Sequence, residues 1–258
     1  MQDIQITITD QIARVQLNRP ELKNCVSLAM WQELKRCFDE LSKNSDVRCV
    51  ILSGAGGNFC SGADISEFGE VRNTAEQVHF YEAAVDAAND AIMDCAKPVV
   101  AEIEGYCVGG GLGLAMACDF RVATKDCCFF IPAAKMSIVY GLRETQNLLA
   151  LVGLTHAKRI LYTGERMNTE RALAIGLVDI QAADSLQQAI DEFCAPLVAA
   201  APLTVSGSKA ILNSLEIAAT DKAVHDAEAL IKAAGESEDY REGRLAFAEK
   251  RAPVFKGC

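Results

Sequence analysis

Gly105-Tyr106-Cys107-Val108-Gly109-Gly110-Gly111-Leu112-Gly113-Leu114-Ala115-Met116-Ala117-Cys118-Asp119 is the stretch whose reading decides the fold. Three consecutive glycines at 109–111 remove every Cβ from a turn, so a ligand can approach the main chain there. Apolar residues follow, and a helix that starts in this turn points unpaired N–H groups outward. Such donors hold an anion, or an oxygen on which charge gathers during a reaction.

The rest of the chain narrows the choice. It has 258 residues, half of them hydrophobic and 23% charged, which suits a globular protein with a sizeable core. The net charge of −10, with no compensating Lys/Arg block, argues against a nucleic-acid surface. Eleven cysteines form no CxxC pair, and Cys49, Cys107 and Cys118 lie inside apolar runs. Free thiols in a reduced, cytoplasmic setting fit this usage better than disulfides or zinc, so no metal is expected. Met1 leads directly into the strand-like Ile4–Ile8, so no signal peptide is read, and no apolar run is long enough to cross a membrane.

Working outward, Ile4/Ile6/Ile8 and Ile12/Val15/Leu17 predict a hairpin with its turn at Thr9-Asp10-Gln11. Ser27 can cap a helix through Trp31, Leu34, Phe38 and Leu41. A buried strand is expected over 47–52, followed by a second glycine-containing turn, Phe59-Cys60-Ser61-Gly62-Ala63-Asp64-Ile65. Residues 66–78 read as polar and mobile, and a helix through Phe80, Val85, Ala88 and Ile92 comes next. Strands are expected at 99–103, 120–122, 128–131 and 177–180, with Gly153, Gly164 and Gly176 as helix stops. This alternation implies an α/β fold. The chain divides into a core of residues 1–197 and a C-terminal helical lobe of residues 198–258. Both glycine turns follow strands, an arrangement that lets two backbone N–H groups from separate segments face one oxygen.

Several motifs in order resemble the crotonase superfamily, also called the enoyl-CoA hydratase/isomerase family. Val15-Gln16-Leu17-Asn18-Arg19-Pro20-Glu21 is similar to its "LNRPE" strand end, and Gly54–Ile65 to its "GxGxxFxxGADI" loop. Lys97-Pro98-Val99-Val100-Ala101, Gly105–Asp119, Gly164-Glu165 with Gly176-Leu177-Val178, and the tail from Glu249 to Gly257 complete the match. The resemblance implies a ClpP/crotonase-like fold, with repeated ββα units forming two roughly perpendicular sheets. It also implies a C-terminal helical region that drives assembly into a homotrimer or a dimer of trimers. The ligand it implies is an acyl-CoA thioester, with no cofactor beyond that CoA moiety. The thioester oxygen would sit between the N–H groups of Ala63 and Gly110, with Gly109, Asp64 and Ile65 beside it. Lys23 and Asn24 carry over as CoA contacts. Phe255 and Lys256 carry over as contacts to the CoA of a neighbouring subunit.

The chain also departs from the family. Hydratases of this family use two glutamates, one in "GGGxE" and one in a "PE" after the next strand. Gly113 and Ala133 stand at those positions. Tyr140-Gly141-Leu142-Arg143-Glu144 replaces the family's "PGAGG" turn, which makes Glu144 the nearest acidic replacement and places Tyr140 and Ala133 at the acyl pocket. Glu67 and Glu70 are expected at the surface, and Asp64 and Asp119 read as supports of the chain rather than reactive groups. His79, His156 and His225 fall away from the motifs. Two readings remain open: an enoyl-CoA hydratase-like or isomerase-like enzyme with a relocated acid/base, and an acyl-CoA-binding carrier, sensor or scaffold without catalysis.

Overall fold

Strand β1 (Ile4–Thr9) turns back into β2 (Ile12–Leu17) through Asp10 and Gln11, which both have positive φ. That is the two-residue geometry whose twist matches a hairpin. The computed structural model describes residues 2–133 and 140–216, together with 237–239, 242, 246, 249, 251, 253–254 and 256–258. His225 and Phe255 lie outside the described residues. The hairpin register pairs Ile4 with Leu17. Its core face is Ala13, Val15 and Leu17, whereas Ile6 and Ile8 are exposed because β1 is the edge strand.

The elements that follow are α1 (Leu28–Lys43), β3 (Cys49–Gly54), α2 (Phe68–Val71), α3 (Ala75–Met93), β4 (Val99–Ile103), β5 (Tyr106–Val108) and α4 (Gly110–Ala117). After these come β6 (Phe120–Ala123), β7 (Cys128–Phe130), α5 (Leu142–Thr163), α6 (Thr169–Ala174), β8 (Ile180–Gln181), α7 (Leu186–Ala199) and α8 (Pro202–Glu216). Six strands form one sheet in the order β1-β2-β3-β4-β6-β8, parallel except for β1 against β2. β5 and β7 form a second, parallel sheet. In each repeat the first strand joins the large sheet and the second joins the small one. The Cys60↔Cys107 bridge docks the chain after β3 onto that small sheet in the same way. This is the expected crotonase fold.

Both faces of the large sheet are covered, so β3 reads as a continuous buried run rather than an alternating one. Its inner face packs with α1, α3 and α4 around Trp31, Phe38, Leu52 and Leu112. The other face packs Ile51, Val100 and Val122 against Ile190 and Cys194 of α7. Ser27 accepts the Met30 N–H and caps α1, as expected.

Five expectations shift. The strand expected at 177–180 is the two-residue β8, Ile180–Gln181. The buried strand lies at 49–54 rather than 47–52. Residues 66–78 are ordered: a short 3-10 turn at Ile65–Glu67 runs into α2, and α3 already starts at Ala75 behind a Thr74/Gln77 capping box. Tyr81, rather than Phe80, lies on the core face of α3 with Val85, Ala88 and Ile92; Phe80 is 56% exposed. Gly153 does not stop α5. It leaves helical geometry (φ 72°, ψ 166°) and kinks the element, which runs on to a left-handed Gly164 cap.

Candidate active site

The carboxyl ends of parallel strands are where an α/β sheet leaves room for ligands. Here β3 and β4 deliver their following loops to one cleft. In the first turn, Val26 N–H donates to the Gly62 carbonyl at 2.8 Å and Asp64 N–H donates to the Val26 carbonyl at 2.9 Å. The Ala63 N–H between them has no acceptor among the described residues. The Cys60 sulfur accepts the Gly62 N–H at 3.3 Å and holds the turn from behind. Burial pushes the Cys60 and Cys107 thiols up, so both remain protonated packing groups.

The second turn hangs from β5. Gly109 N–H donates to the Phe130 carbonyl at 3.0 Å, and the Gly109 carbonyl accepts the Gly113 N–H at 3.0 Å. Gly109 adopts φ 51° and ψ −123°, a conformation that L side chains rarely take. The peptide is thereby flipped so that the next N–H, that of Gly110, opens α4 without an acceptor among the described residues. A Cβ at Gly110 would stand 3.6 Å from the Ala63 nitrogen and 3.2 Å from the Trp31 ring. The two free amides therefore face one small space, and the Trp31 ring would crowd a Cβ at position 110. Trp31 is itself held by the Tyr81 hydroxyl at 3.0 Å.

Glu144 enters the same cleft from the first turn of α5. It is 5% exposed, and its carboxyl fills the space over Gly113. A Cβ at 113 would meet Glu144 Oε1 at 2.5 Å and the Tyr140 hydroxyl at 3.4 Å. Any side chain at 113 would thus compete with the Glu144 carboxyl for one volume. Burial raises the Glu144 carboxyl to about 7, with Glu82 and Asp86 of α3 adding like-charge repulsion. Hydrogen bonding from Tyr140 and from the Gly141 backbone acts in the opposite sense. The Tyr140 hydroxyl donates to the Gly109 carbonyl at 2.9 Å.

The other candidate residues fall into place around this pair. Ala133, Ile65, Gly109 and Tyr140 line the cleft. Lys23 stands with its ammonium 4.2 Å from the centre of the Tyr106 ring. Asn24 is fully buried, accepts the Arg19 N–H and donates to the Ala55 and Asn58 carbonyls, so its side chain serves the loop and is not presented to a ligand. Asp64 caps the 3-10 turn through Ser66 and pairs with Arg19 at 2.9 Å; those contacts hold its carboxyl below its usual range. Glu67 accepts the Leu28 N–H at 2.6 Å and so anchors α1. Asp119 accepts the Val99 N–H and pairs with Lys209. Lys256 does not line this cleft. It borders a separate cavity with Lys43, Arg48 and Lys97. His79 and His156 do not line the cleft either.

Sequence reading missed the α2–α3 wall: Phe68, Arg72, Tyr81, Glu82 and Val85. Arg72 pairs with Glu82 and lies over the Phe68 ring at 5.1 Å. The available signal was Glu82 and Asp86, four apart on one helical face. Among the described residues no group of three or more His, Cys, Asp or Glu could hold a metal.

Two turns with unpaired N–H groups and one buried carboxyl thus meet at a single cleft. The enoyl-CoA hydratase/isomerase family model matches residues 7–258. The chain belongs to the enoyl-CoA hydratase/isomerase family. It is 36% identical over 253 residues to YngF of Bacillus subtilis, a protein named provisionally as an enoyl-CoA hydratase/isomerase, covering 96% of this chain and 95% of that one. It is 31% identical over 251 residues to the peroxisomal Delta(3,5)-Delta(2,4)-dienoyl-CoA isomerase of Arabidopsis thaliana, covering 93% and 90%. Among solved structures, an enoyl-CoA hydratase/carnithine racemase from Magnetospirillum magneticum superposes with a TM-score of 0.92 at 34% identity, covering 100% and 97%. The family match spans almost the whole chain, and with it the fold.

Proposed function

We propose that this family member is an acyl-CoA isomerase in which Glu144 alone carries the proton. The observation that supports this is the Glu144 carboxyl held over Gly113, in the same cleft as the unpaired N–H groups of Ala63 and Gly110. A thioester oxygen between those amides gains stabilisation as an enolate forms, the usual magnitude for such a hole being about 3 kcal/mol per donor. Glu144 takes a proton from C2 of a 3-enoyl thioester, the double bond moves from C3–C4 to C2–C3, and the same group returns the proton to C4. Nothing is added and nothing leaves. With its pKa near 7, the carboxyl can both accept and release that proton at neutral pH.

Hydration asks for more. It needs a positioned water and a second group to share its protons. The other carboxylate lining the cleft, Glu82, is tied to Arg72. The dienoyl-CoA isomerase among the relatives supports the isomerase side of the family.

The test is to mix the protein with a 3-enoyl-CoA and follow the conjugated enoyl absorbance. Absorbance is expected to rise, and Glu144→Gln is expected to lose about 100-fold or more of the rate. Hydration of crotonyl-CoA without isomerisation would replace this assignment with a hydratase. Tight binding of acyl-CoA with no turnover would leave the carrier reading.

A further inference from the structure

The Gly109 carbonyl and the Gly110 N–H belong to one peptide group. The carbonyl accepts from the Tyr140 hydroxyl at 2.9 Å; the N–H is the donor assigned above to the thioester oxygen. A hydrogen bond received at the oxygen of a peptide increases the polarity of its N–H, because charge shifts along the conjugated group. The same hydroxyl borders the Glu144 carboxyl: the two oxygens stand 3.4 Å and 2.5 Å from the one point over Gly113 where a Cβ would sit. Burial and the facing carboxyl hold the phenol well above its ordinary titration range, so it keeps its proton. One phenolic hydrogen therefore has two acceptors to serve.

We infer that Tyr140 is a positioning residue that couples the strength of the Gly110 oxyanion donor to the protonation state of Glu144. This rests on the assignment of Glu144 as proton carrier and deepens it. With Glu144 ionised, the carboxylate and the Gly109 carbonyl compete for the phenolic hydrogen. When Glu144 takes the C2 proton, its new O–H donates to the phenol oxygen, and the phenolic hydrogen is released to Gly109. The Gly110 N–H strengthens as negative charge reaches the thioester oxygen. When the proton returns to C4, the arrangement reverses. One proton moves between carbon and carboxyl; the phenol O–H bond never breaks.

The groups facing this pair fit the scheme. Glu82 and Asp86 approach Glu144 from α3 and disfavour its ionised form, Arg72 is paired with Glu82, and Arg143 is paired with Asp90. Cys60 and Cys107, both protonated, are the other titratable groups that act on Tyr140. None of them supplies a competing donor to Gly109 O.

The experiment reads the bound carbonyl directly. Hexanoyl-CoA, which has no double bond to shift, is bound and its thioester C=O stretch followed by difference Raman spectroscopy. In the wild type the downshift on binding is expected to grow as pH falls through about 7, where Glu144 protonates. In Tyr140→Phe it is expected to be smaller and flat with pH, and kcat for 3-enoyl-CoA to fall about tenfold with KM within about twofold, a fraction of the loss from deleting a donor outright. Should Tyr140→Phe fold poorly, 3,5-difluorotyrosine at 140, a stronger donor, is expected to increase the downshift. A carbonyl stretch and kcat that ignore both changes at position 140 would overturn the coupling while leaving Glu144 in place. Full activity in Glu144→Gln would instead remove the proton carrier itself.

Discussion

At residue 113 the usual arithmetic of glycine reverses its meaning. Replacing a helical glycine by alanine ordinarily stabilises by about 1 kcal/mol. Here the new Cβ would stand 2.5 Å from Glu144 Oε1, which is the far end of a flexible side chain and can move aside. Gly113→Ala is therefore expected to leave stability within about 1 kcal/mol, because the helical gain offsets the crowding. Its rate is expected to drop by up to about 100-fold, because the carboxyl no longer stands where the proton is transferred. Urea unfolding and isomerase kinetics on the same preparation separate the two effects. The absence of a carboxylate at 113 and 133 was legible from the glycine motif and Pro132. That Gly113 makes room for Glu144 was not, since residues 31 apart meet only through the packing of α4 against α5.

At the scale of elements, a buried cation helps to tie α8 to the core. Lys209 of α8 is 9% exposed and donates to Asp119 at 2.8 Å, to the Lys97 carbonyl at 3.1 Å and to the Ile92 carbonyl at 3.5 Å. It thereby joins the end of α3, the turn before β4 and the residue before β6. Lys209→Met is expected to cost roughly 2 kcal/mol, since Asp119 keeps the Val99 N–H but loses its counter-ion. A lower urea midpoint and earlier proteolysis within α8 would report it. Most elements were legible where period and punctuation agreed, as in α1 behind Ser27 or the hairpin at Asp10 and Gln11. Residues 66–78 were not. Polar composition read as mobility, whereas Phe68 and Tyr81 pack edge-on at 5.5 Å and carry Arg72 across them to form a wall of the cleft. That order comes from contacts across the chain rather than from local pattern.

The whole molecule bears the cost of the buried Glu144 carboxyl. Glu144 titrates near 7 in the folded protein but near 4.5 when unfolded. Between those values the folded state binds more protons, so stability is greatest below the lower one and declines as pH rises through the upper one. The full shift amounts to about 3 kcal/mol. Glu144→Gln is thus expected to unfold at higher temperature than the wild type at pH 8, with the difference shrinking to nothing towards pH 4.5. Equal melting temperatures across that range would mean that the carboxyl is not desolvated. The crotonase fold and the two donor turns were legible because each is written in a contiguous glycine motif; the carboxyl's environment was assembled from α3, α4 and α5 together. The shared volume over Gly113 also bears on grafting a second acid into the cleft. A side chain at 113 and the Glu144 carboxyl claim the same space, so Gly113→Glu is expected to push Glu144 aside rather than to set two carboxyls next to each other.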